Sequence, residues 1–227
     1  MMETKVNYQA IALKTVEGFE GTKKKLLFHV CCGPCSCYPL LFLTPYFDIT
    51  IYYANSNIYP KQEYDHRLAE LKRLLECYKK DKGIDIALVV PPYDNEAYTA
   101  KLAPLAHLGE FSERCFLCYR LRMAEAYDYA EEHGYDYFTT VMTVSRQKNA
   151  QKLNEIGLEL EKKHPHTKYF LSDFKKNRGL EIGTEIRKQY DLYNQDYCGC
   201  VYSYQEALVR RKKGESHGQE EQERKAR

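Results

Sequence analysis

The chain has 227 residues, 44% of them apolar, and a formal net charge of +2. Its length exceeds that of a usual domain only slightly. The near-neutral charge excludes nucleic-acid binding through a whole-chain field, so any such binding needs local basic patches. No segment has the roughly 18 apolar residues of a membrane span, and Met1–Ala12 lacks the apolar stretch of a signal peptide. We therefore predict a cytoplasmic protein without a membrane partner, in which nine cysteines indicate metal or redox chemistry.

Hydrophobic periodicity predicts alternating strands and helices along the chain. In chain order these are a helix at Tyr8–Val16, a strand at Leu26–Val30, a helix at Ser36–Leu43, a strand at Asp48–Ala54, a helix at Pro60–Lys80, a strand at Ile84–Val90, a short helix, a helix from Cys115 to His133, a strand at Tyr137–Met142, a helix at Gln147–Lys163, a strand at Tyr169–Leu171, and helices at Leu180–Gln189 and Ser203–Arg211. We expect His29, inside the first strand, to be a hydrogen-bonded core histidine and not a metal ligand.

This order of elements, with crossovers long enough for parallel pairing, predicts a single α/β domain. We expect a doubly wound, mostly parallel sheet with helices on both faces, Rossmann-like and of the HUP/PP-loop kind. We assign residues 1–24 to an N-terminal extension, 25–211 to the α/β catalytic domain, and 212–227 to a charged tail expected to be disordered. Sites in such folds form beyond the carboxyl ends of the strands.

Seven of the nine cysteines form three groups. The groups are Cys31, Cys32 and Cys35; Cys115 and Cys118; and Cys198 and Cys200. Each group lies in a Gly/Pro loop or at a predicted helix start, where backbone amides and the helix dipole favour thiolates. Four thiolates fit a [4Fe–4S] cluster or a structural zinc, so seven indicate a second metal or an open reactive position. We expect Cys77 to be a small core residue and Cys37 not to be a ligand.

Two other interpretations stay open on the residues alone. The last four grouped cysteines could bind a structural zinc in an RNA-binding protein, which would leave the first group without a role. Cys32-Gly-Pro-Cys35 is the thioredoxin motif and would indicate a thiol–disulfide oxidoreductase, although the chain contains no Trp to precede it. The spacing does not match the C-x3-C-x2-C motif of radical S-adenosylmethionine enzymes. The H-x-E partner of a nucleobase deaminase and the S-G-G-x-D-S loop of an ATP pyrophosphatase are missing.

Six motifs occur together in one order. They are Cys31-Cys-Gly-Pro-Cys35, Asn57-Ile-Tyr-Pro60, Glu113-Arg-Cys-Phe-Leu-Cys-Tyr-Arg120, Thr139-Thr140 with Ser145, Asp173-Phe-Lys-Lys176, and Gln195-Asp-Tyr-Cys-Gly-Cys200. As a set spanning about residues 25–205, they resemble the cobalamin-independent epoxyqueuosine reductase family (QueH type). The resemblance implies an oxidoreductase that removes the epoxide oxygen of epoxyqueuosine at the wobble position of tRNA, the last step of queuosine biosynthesis.

The resemblance also implies the cofactors and their ligands. It implies a [4Fe–4S] cluster with an adjacent mononuclear iron, held by cysteines of these motifs, with a carboxylate as a further candidate ligand. Carried over by position, the ligands are the seven grouped cysteines, and Cys31, Cys32, Cys35 and Cys198 are the catalytic residues. The metal that Cys35 serves stays open. Our mechanistic hypothesis is that an iron with an open position acts as a Lewis acid on the epoxide oxygen. The cluster would relay single electrons from an external ferredoxin- or flavodoxin-like donor.

Candidate contacts to the tRNA are basic, aromatic and amide side chains inside or beside these motifs. They are Asn57, Tyr59, Arg114, Tyr119, Arg120, Lys148, Lys175, Lys176 and Arg178. Contacts from Lys and Arg to phosphates would make binding salt-dependent. The two tyrosines offer rings on which an extruded base could stack.

Overall fold

Strands and helices alternate through the folded chain, as the sequence predicts. The structure, a computed structural model, describes residues 6–212. The strands are β1 (Lys24–His29), β2 (Phe47–Tyr52), β3 (Ala87–Val89), β4 (Tyr137–Thr140) and β5 (Lys168–Tyr169). The helices are α1 (Tyr8–Glu17), α2 (Gly33–Leu43), α3 (Lys61–Lys82), α4 (Asn95–Leu102), α5 (Glu113–Glu132), α6 (Ala150–Glu161), α7 (Gly179–Gln189) and α8 (residues 201–212). The predicted tail falls outside the described residues from 213 onward.

All five strands pair in parallel, in the order β3-β2-β1-β4-β5. The chain moves outward from β1 to β3 and then returns to place β4 on the other side of β1. The carboxyl ends of β1 and β4 therefore mark the topological switch point, where ligand sites form in such sheets. Alternate side chains of β1 face opposite layers: Phe28 packs with α2, α3 and α7, and Leu27 packs with α5 and α6. The predicted doubly wound α/β fold is confirmed.

The N-terminal segment belongs to the main core. Ala12, Val16 and Phe19, on or just after α1, are buried in the same cluster as Phe28, and the Phe19 ring meets Phe47 edge-on with ring centroids 5.2 Å apart. The described part of the predicted extension, residues 6–24, thus contributes α1 to the α2 face of the sheet. This packing was not evident from the sequence, because α1 is short and only weakly amphipathic.

Helix α2 begins inside the first cysteine motif. It starts at Gly33, earlier than the predicted Ser36, because the fixed φ of Pro34 suits the first turn of a helix. Cys32 becomes the N-cap residue with an extended backbone, and Cys35 lies in the first helical turn. Helix α2 therefore carries Cys35 and is capped by Cys32, whereas Cys31 lies in the short connection after β1.

The chain between β4 and α6 is an open turn. β4 ends at Thr140, because residues Val141–Val144 form a 3-10 turn in which the Thr140 hydroxyl accepts a hydrogen bond from the Met142 N–H (3.2 Å). Helix α6 starts later than predicted, because the Asn149 side chain caps it by accepting from the N–H groups of its first turn. Residues 145–149, predicted as partly helical, are thus a loop beside the switch point.

His29 is a satisfied core histidine, which confirms its prediction. Its Nε2 lies 3.2 Å from the Ala54 carbonyl oxygen, which can only accept, so Nε2 carries the proton. Its Nδ1 then accepts from the Thr140 hydroxyl at 2.8 Å. Burial, together with the nearby charge of Arg122, lowers the pKa of His29 to about 3. The imidazole is therefore neutral and is fully occupied in joining β1 to β4 and to the end of β2.

The helices of the described chain give no sign of a membrane span. Among residues 6–212, no helix combines the length and the apolar character needed to cross a bilayer. The cytoplasmic location and the lack of a membrane partner remain predictions.

Candidate metal centre

The first cysteine group lies where β1 ends, at the switch point of the sheet. The Sγ atoms of Cys31, Cys32 and Cys35 all lie within 4.8 Å of one another, and those of Cys31 and Cys32 are 3.8 Å apart. This is the one group of three or more possible ligand atoms that approaches so closely within residues 6–212. Three soft sulfur ligands at this spacing could bind a metal ion.

One of these three thiols holds negative charge most easily. Hydrogen bonds from the Cys32 and Cys35 thiols, aided by the charges of Arg122 and Lys148, lower the pKa of Cys31 well below its ordinary value. Burial raises the pKa of Cys32 to about 12, and hydrogen bonding to the Cys31 thiolate raises the pKa of Cys35. A metal ion bound here would displace the remaining protons.

The second group begins α5. Cys115 and Cys118 are three positions apart in the first turns of this helix, and the Tyr98 hydroxyl on α4 lies 3.3 Å from the Cys118 sulfur. Burial raises the pKa of Cys115, and that of Cys118 to about 11, and the charges of Cys198 and Cys200 raise both further. The cysteines of the second and third groups thus act on each other's pKa through their charges.

The third group sits on a turn that helix α3 holds in place. The guanidinium of Arg67, 1% exposed, donates to the carbonyl oxygens of Cys198 at 3.1 Å and Tyr197 at 3.2 Å. Gly199 between the two cysteines has φ +129°, a conformation that side chains disfavour, and a Cβ there would lie 3.1 Å from Arg67. The spacing Cys-Gly-Cys therefore reflects a turn that only glycine fits.

Two cations lie among the cysteines. Arg122 is buried, and its guanidinium donates to the Asn55 side-chain oxygen at 2.6 Å. Burial acts to lower its pKa, but the thiolate charges of Cys118, Cys31 and Cys198 raise it above the ordinary value. Burial likewise acts to lower the pKa of Lys148, but the thiolate charges of Cys198, Cys31 and Cys35 raise it above the ordinary value. Arg122 thus interacts with cysteines of all three groups, and Lys148 with cysteines of the first and third.

A small cavity opens at the centre of this arrangement. It measures about 110 Å³ and is lined by Cys31, Cys35, Cys198, Lys148 and Gln195 together with the turn that follows β4. We call it the thiolate cavity. The Gln195 amide donates to the sulfurs of Cys32 at 3.2 Å and Cys35 at 3.7 Å, while its buried carbonyl oxygen has no hydrogen-bond partner. The cavity therefore combines soft ligands, positive charge and an unsatisfied acceptor.

The two remaining cysteines lie outside this site. Cys37 is fully buried in the core, and its thiol points back along α2 toward the Gly33 carbonyl oxygen (3.7 Å). The expectation that Cys37 is not a ligand is consistent with this position. Cys77, expected in the core, is only half-buried on α3.

Several of the predicted tRNA contacts serve the protein interior. Arg114 is 3% exposed, donates to the carbonyl oxygens of Ala106 and Leu108, and lies over the Tyr202 ring at 4.2 Å. Asn57 is buried with its side-chain oxygen unpaired, under the Cys198–Cys200 turn. Tyr119 is buried in the α5 and α6 layer. A role for these three in tRNA binding stays a prediction.

The other predicted contacts are more exposed. Tyr59 is 38% exposed, and its N–H donates to the Gly199 carbonyl oxygen at 2.7 Å. Arg120 pairs with Glu159 and Arg178 with Glu181. Lys175 binds the Thr143 carbonyl oxygen at 2.7 Å and the Asp173 carboxylate at 2.9 Å, while Lys176 is exposed. Lys148 is the predicted contact that reaches the thiolate cavity.

Sequence reasoning missed three polar residues of the site. Gln195 belongs to a quoted motif but was not assigned a role. Arg122 could have been found, because it follows Cys118 by four positions on α5 and therefore shares its face. Arg67 gave no local signal, since it meets Cys198 across 131 residues of sequence.

Together the fold and the site define a doubly wound α/β protein with a cysteine group that could bind a metal at the switch point. The sequence model of the family described as epoxyqueuosine reductase QueH matches residues 26–206. The chain belongs to this family, and the resemblance drawn from the motifs is confirmed.

Relatives named epoxyqueuosine reductase QueH match most of the chain. That of Staphylococcus aureus strain Mu50 is 39% identical over 207 residues, covering 89% of this chain and 86% of the relative. That of Streptococcus pyogenes serotype M1 is 37% identical over 201 residues, covering 88% and 78%. The Thermotoga maritima relative is 29% identical over 198 residues, covering 83% and 97%. The similarity therefore extends over nearly full-length proteins.

Proposed function

We propose that this chain is an epoxyqueuosine reductase, an oxidoreductase that converts epoxyqueuosine in tRNA to queuosine in the last step of queuosine biosynthesis. The observation that carries the proposal is the gathering of cysteines from three distant segments at the carboxyl ends of β1 and β4. Membership of the QueH family supports the same activity. The reaction consumes two electrons and two protons, breaks both C–O bonds of the epoxide, and yields an alkene and water.

The donor set fits a [4Fe–4S] cluster with an adjacent mononuclear iron. Cys31, Cys32 and Cys35 offer three sulfurs within 4.8 Å, and Cys115, Cys118, Cys198 and Cys200 supply four more at the same end of the sheet. When bound, the cluster and iron supply single-electron transfer and a Lewis acid. One carboxylate, that of Asp196, lines the thiolate cavity, and both of its oxygens accept hydrogen bonds from Arg211.

The protein itself supplies charge balance and a shielded volume. Arg122 and Lys148 offset the negative charge of several thiolates in a buried setting, where uncompensated charge is costly. The small thiolate cavity limits the water that reaches the reacting carbons. Cys31, Cys35 and Cys198, which line it, are the cysteines nearest to a ring placed there, and with Cys32 they form the proposed catalytic set.

The partners follow from the reaction. The substrate is tRNA with epoxyqueuosine at the wobble position, and an external ferredoxin- or flavodoxin-like protein supplies electrons one at a time. Family membership favours neither a zinc-stapled RNA-binding protein nor a thioredoxin-like oxidoreductase. The thioredoxin interpretation also leaves Cys31 unexplained, although its sulfur lies 3.8 Å from that of Cys32.

Anaerobic purification followed by iron and sulfide counting tests the cofactor. We expect a brown protein that, with reductant, converts epoxyqueuosine in tRNA to queuosine, detected by mass spectrometry of the nucleosides. Cys118→Ser and Cys200→Ser should abolish turnover, while Cys77→Ser, at a half-buried position on α3 outside the site, should retain it. A colourless zinc protein without turnover, or near-normal turnover in both ligand variants, would contradict the proposal.

A further inference from the structure

The thiolate cavity is too small for a whole nucleotide. Pockets that enclose drug-sized ligands measure about 300–1,000 Å³, whereas the thiolate cavity measures about 110 Å³. Only a small ring of the substrate can enter it. The base, ribose and phosphate that carry this ring therefore need an adjoining space.

A larger cleft adjoins the thiolate cavity along one side. It measures about 550 Å³ and runs between the start of α2, residues 144–147, α7, and Asn194 with Gln195. We call it the α7 cleft. It shares Cys35, Gln195 and three residues of the 144–147 turn with the thiolate cavity. A group bound in the α7 cleft can thus extend directly toward the thiols.

The α7 cleft carries positive charge without a counter-charge. Arg146 and Arg187 line it, and no Asp or Glu is among its lining residues. Within residues 6–212, neither guanidinium forms an ion pair or a hydrogen bond, so both are available to a ligand. Arginine side chains of this kind bind phosphate oxygens through paired N–H donors. The side chains of Asn194, Gln147 and Thr184 add neutral hydrogen-bonding groups.

A second cleft reaches the site less directly. It measures about 830 Å³ but shares only Lys148 with the thiolate cavity. Arg146 lines this cleft as well as the α7 cleft, but here the carboxylates of Asp173 and Glu155 oppose its charge. Lys175 is already bound to Asp173. The α7 cleft is therefore the better match to a polyanion that must place one ring at the thiols.

From this geometry we infer that the α7 cleft binds the ribose–phosphate backbone of the RNA nucleotide undergoing reduction, with Arg146 and Arg187 contacting its phosphates. The inference rests on the proposed function and specifies the substrate site. Lys176 and Arg178, which the sequence suggested as phosphate contacts, lie outside the α7 cleft and are not part of this site. Arg178 is moreover paired with Glu181.

Binding of an anticodon stem-loop RNA to the anaerobically purified, metal-loaded protein tests the inference. Arg146→Gln and Arg187→Gln should each weaken binding about tenfold, the effect of losing one charge-assisted contact. Each should also reduce the salt dependence of the affinity: the slope of log K against log salt concentration should become smaller in magnitude by about 0.7–1. Lys188→Gln removes the same charge from the next position of α7, outside the cleft, and should bind within twofold of the parent protein.

The possible outcomes separate the inference from the proposed function. A parent protein that fails to bind the stem-loop would overturn both. If the parent protein binds the stem-loop and turns over, and Arg146→Gln and Arg187→Gln bind as tightly as the parent, the cleft inference is overturned and the proposed function stands. Equal losses in Lys188→Gln would also overturn it, because the effect would then come from general surface charge. Circular dichroism of each variant checks folding, and Arg187→Lys should recover part of the affinity.

Discussion

The contact between α2 and α3 at Gly33 gives the sharpest test of how the site is assembled. A Cβ at this position would lie 2.9 Å from the Glu70 carbonyl oxygen and 3.3 Å from the Leu71 nitrogen. Both atoms belong to the backbone of α3, so they cannot rotate away. Gly33→Ala must open the helix contact by about 0.5 Å to reach ordinary contact at 3.4 Å.

This displacement is transmitted to the third cysteine group. Helix α3 carries Arg67, which holds the Cys198 and Tyr197 carbonyl oxygens, whereas α2 carries Cys35. Opening the two helices therefore separates thiols that the proposed centre needs together, and metal sites tolerate distance errors of only about 0.2 Å. We expect a loss of about 1–3 kcal/mol in the free energy of unfolding. The unfolding temperature should fall by roughly 2–4 °C per kcal/mol.

Gly183→Ala is the matched control. Gly183 lies on α7, which packs on the same α2, but its added Cβ would be 3.7 Å from the Tyr38 Cβ, an ordinary contact. Because glycine inside a helix is unfavourable, this change should stabilise the protein by about 0.5–1 kcal/mol. Thermal unfolding of the apo proteins and iron per chain after reconstitution are the measurements. Gly33→Ala with parent-like stability and iron content would refute the reasoning.

Three further predictions concern individual side chains. In the apo protein near neutral pH, iodoacetamide should modify Cys31 before Cys32 or Cys35, because the pKa of Cys31 is lowered while the other two are raised; equal labelling in peptide mass spectrometry would contradict this. Burial lowers the pKa of His29 to about 3, so between pH 6.5 and pH 3 the unfolded chain binds a proton that the folded chain does not. The free energy of unfolding of the apo protein should therefore fall by about 1.4 kcal/mol per pH unit as the pH drops from 6.5 towards 3. His29→Gln should flatten that slope in urea titrations, and an unchanged slope would count against it. Arg67→Lys keeps the charge but loses the fork that holds two carbonyls; it should destabilise the protein by about 1–3 kcal/mol and lower its iron content, and normal values of both would show that Arg67 does not hold the turn.

The sequence by itself determined the order of elements, the fold class and the cysteine groups. Runs of apolar residues such as Leu26–Val30 are set by short-range patterns, which is why strands and helices could be placed to within a few residues. The turn around Gly199 in Cys-Gly-Cys could likewise be inferred from neighbouring residues alone, because a turn with positive φ favours glycine. Six motifs in one order were enough to indicate the family.

Only the tertiary structure decided how these segments meet and which charged side chains face the site. Arg67 reaches Cys198 through hydrogen bonds that span most of the chain, and Arg114, a predicted phosphate contact, is buried. Arg187, which no motif singled out, lines the cleft beside Cys35. Burial and long-range contacts depend on how the helices pack across the sheet. The sequence alone does not show whether a lysine or arginine side chain faces solvent, a carbonyl oxygen or a thiolate.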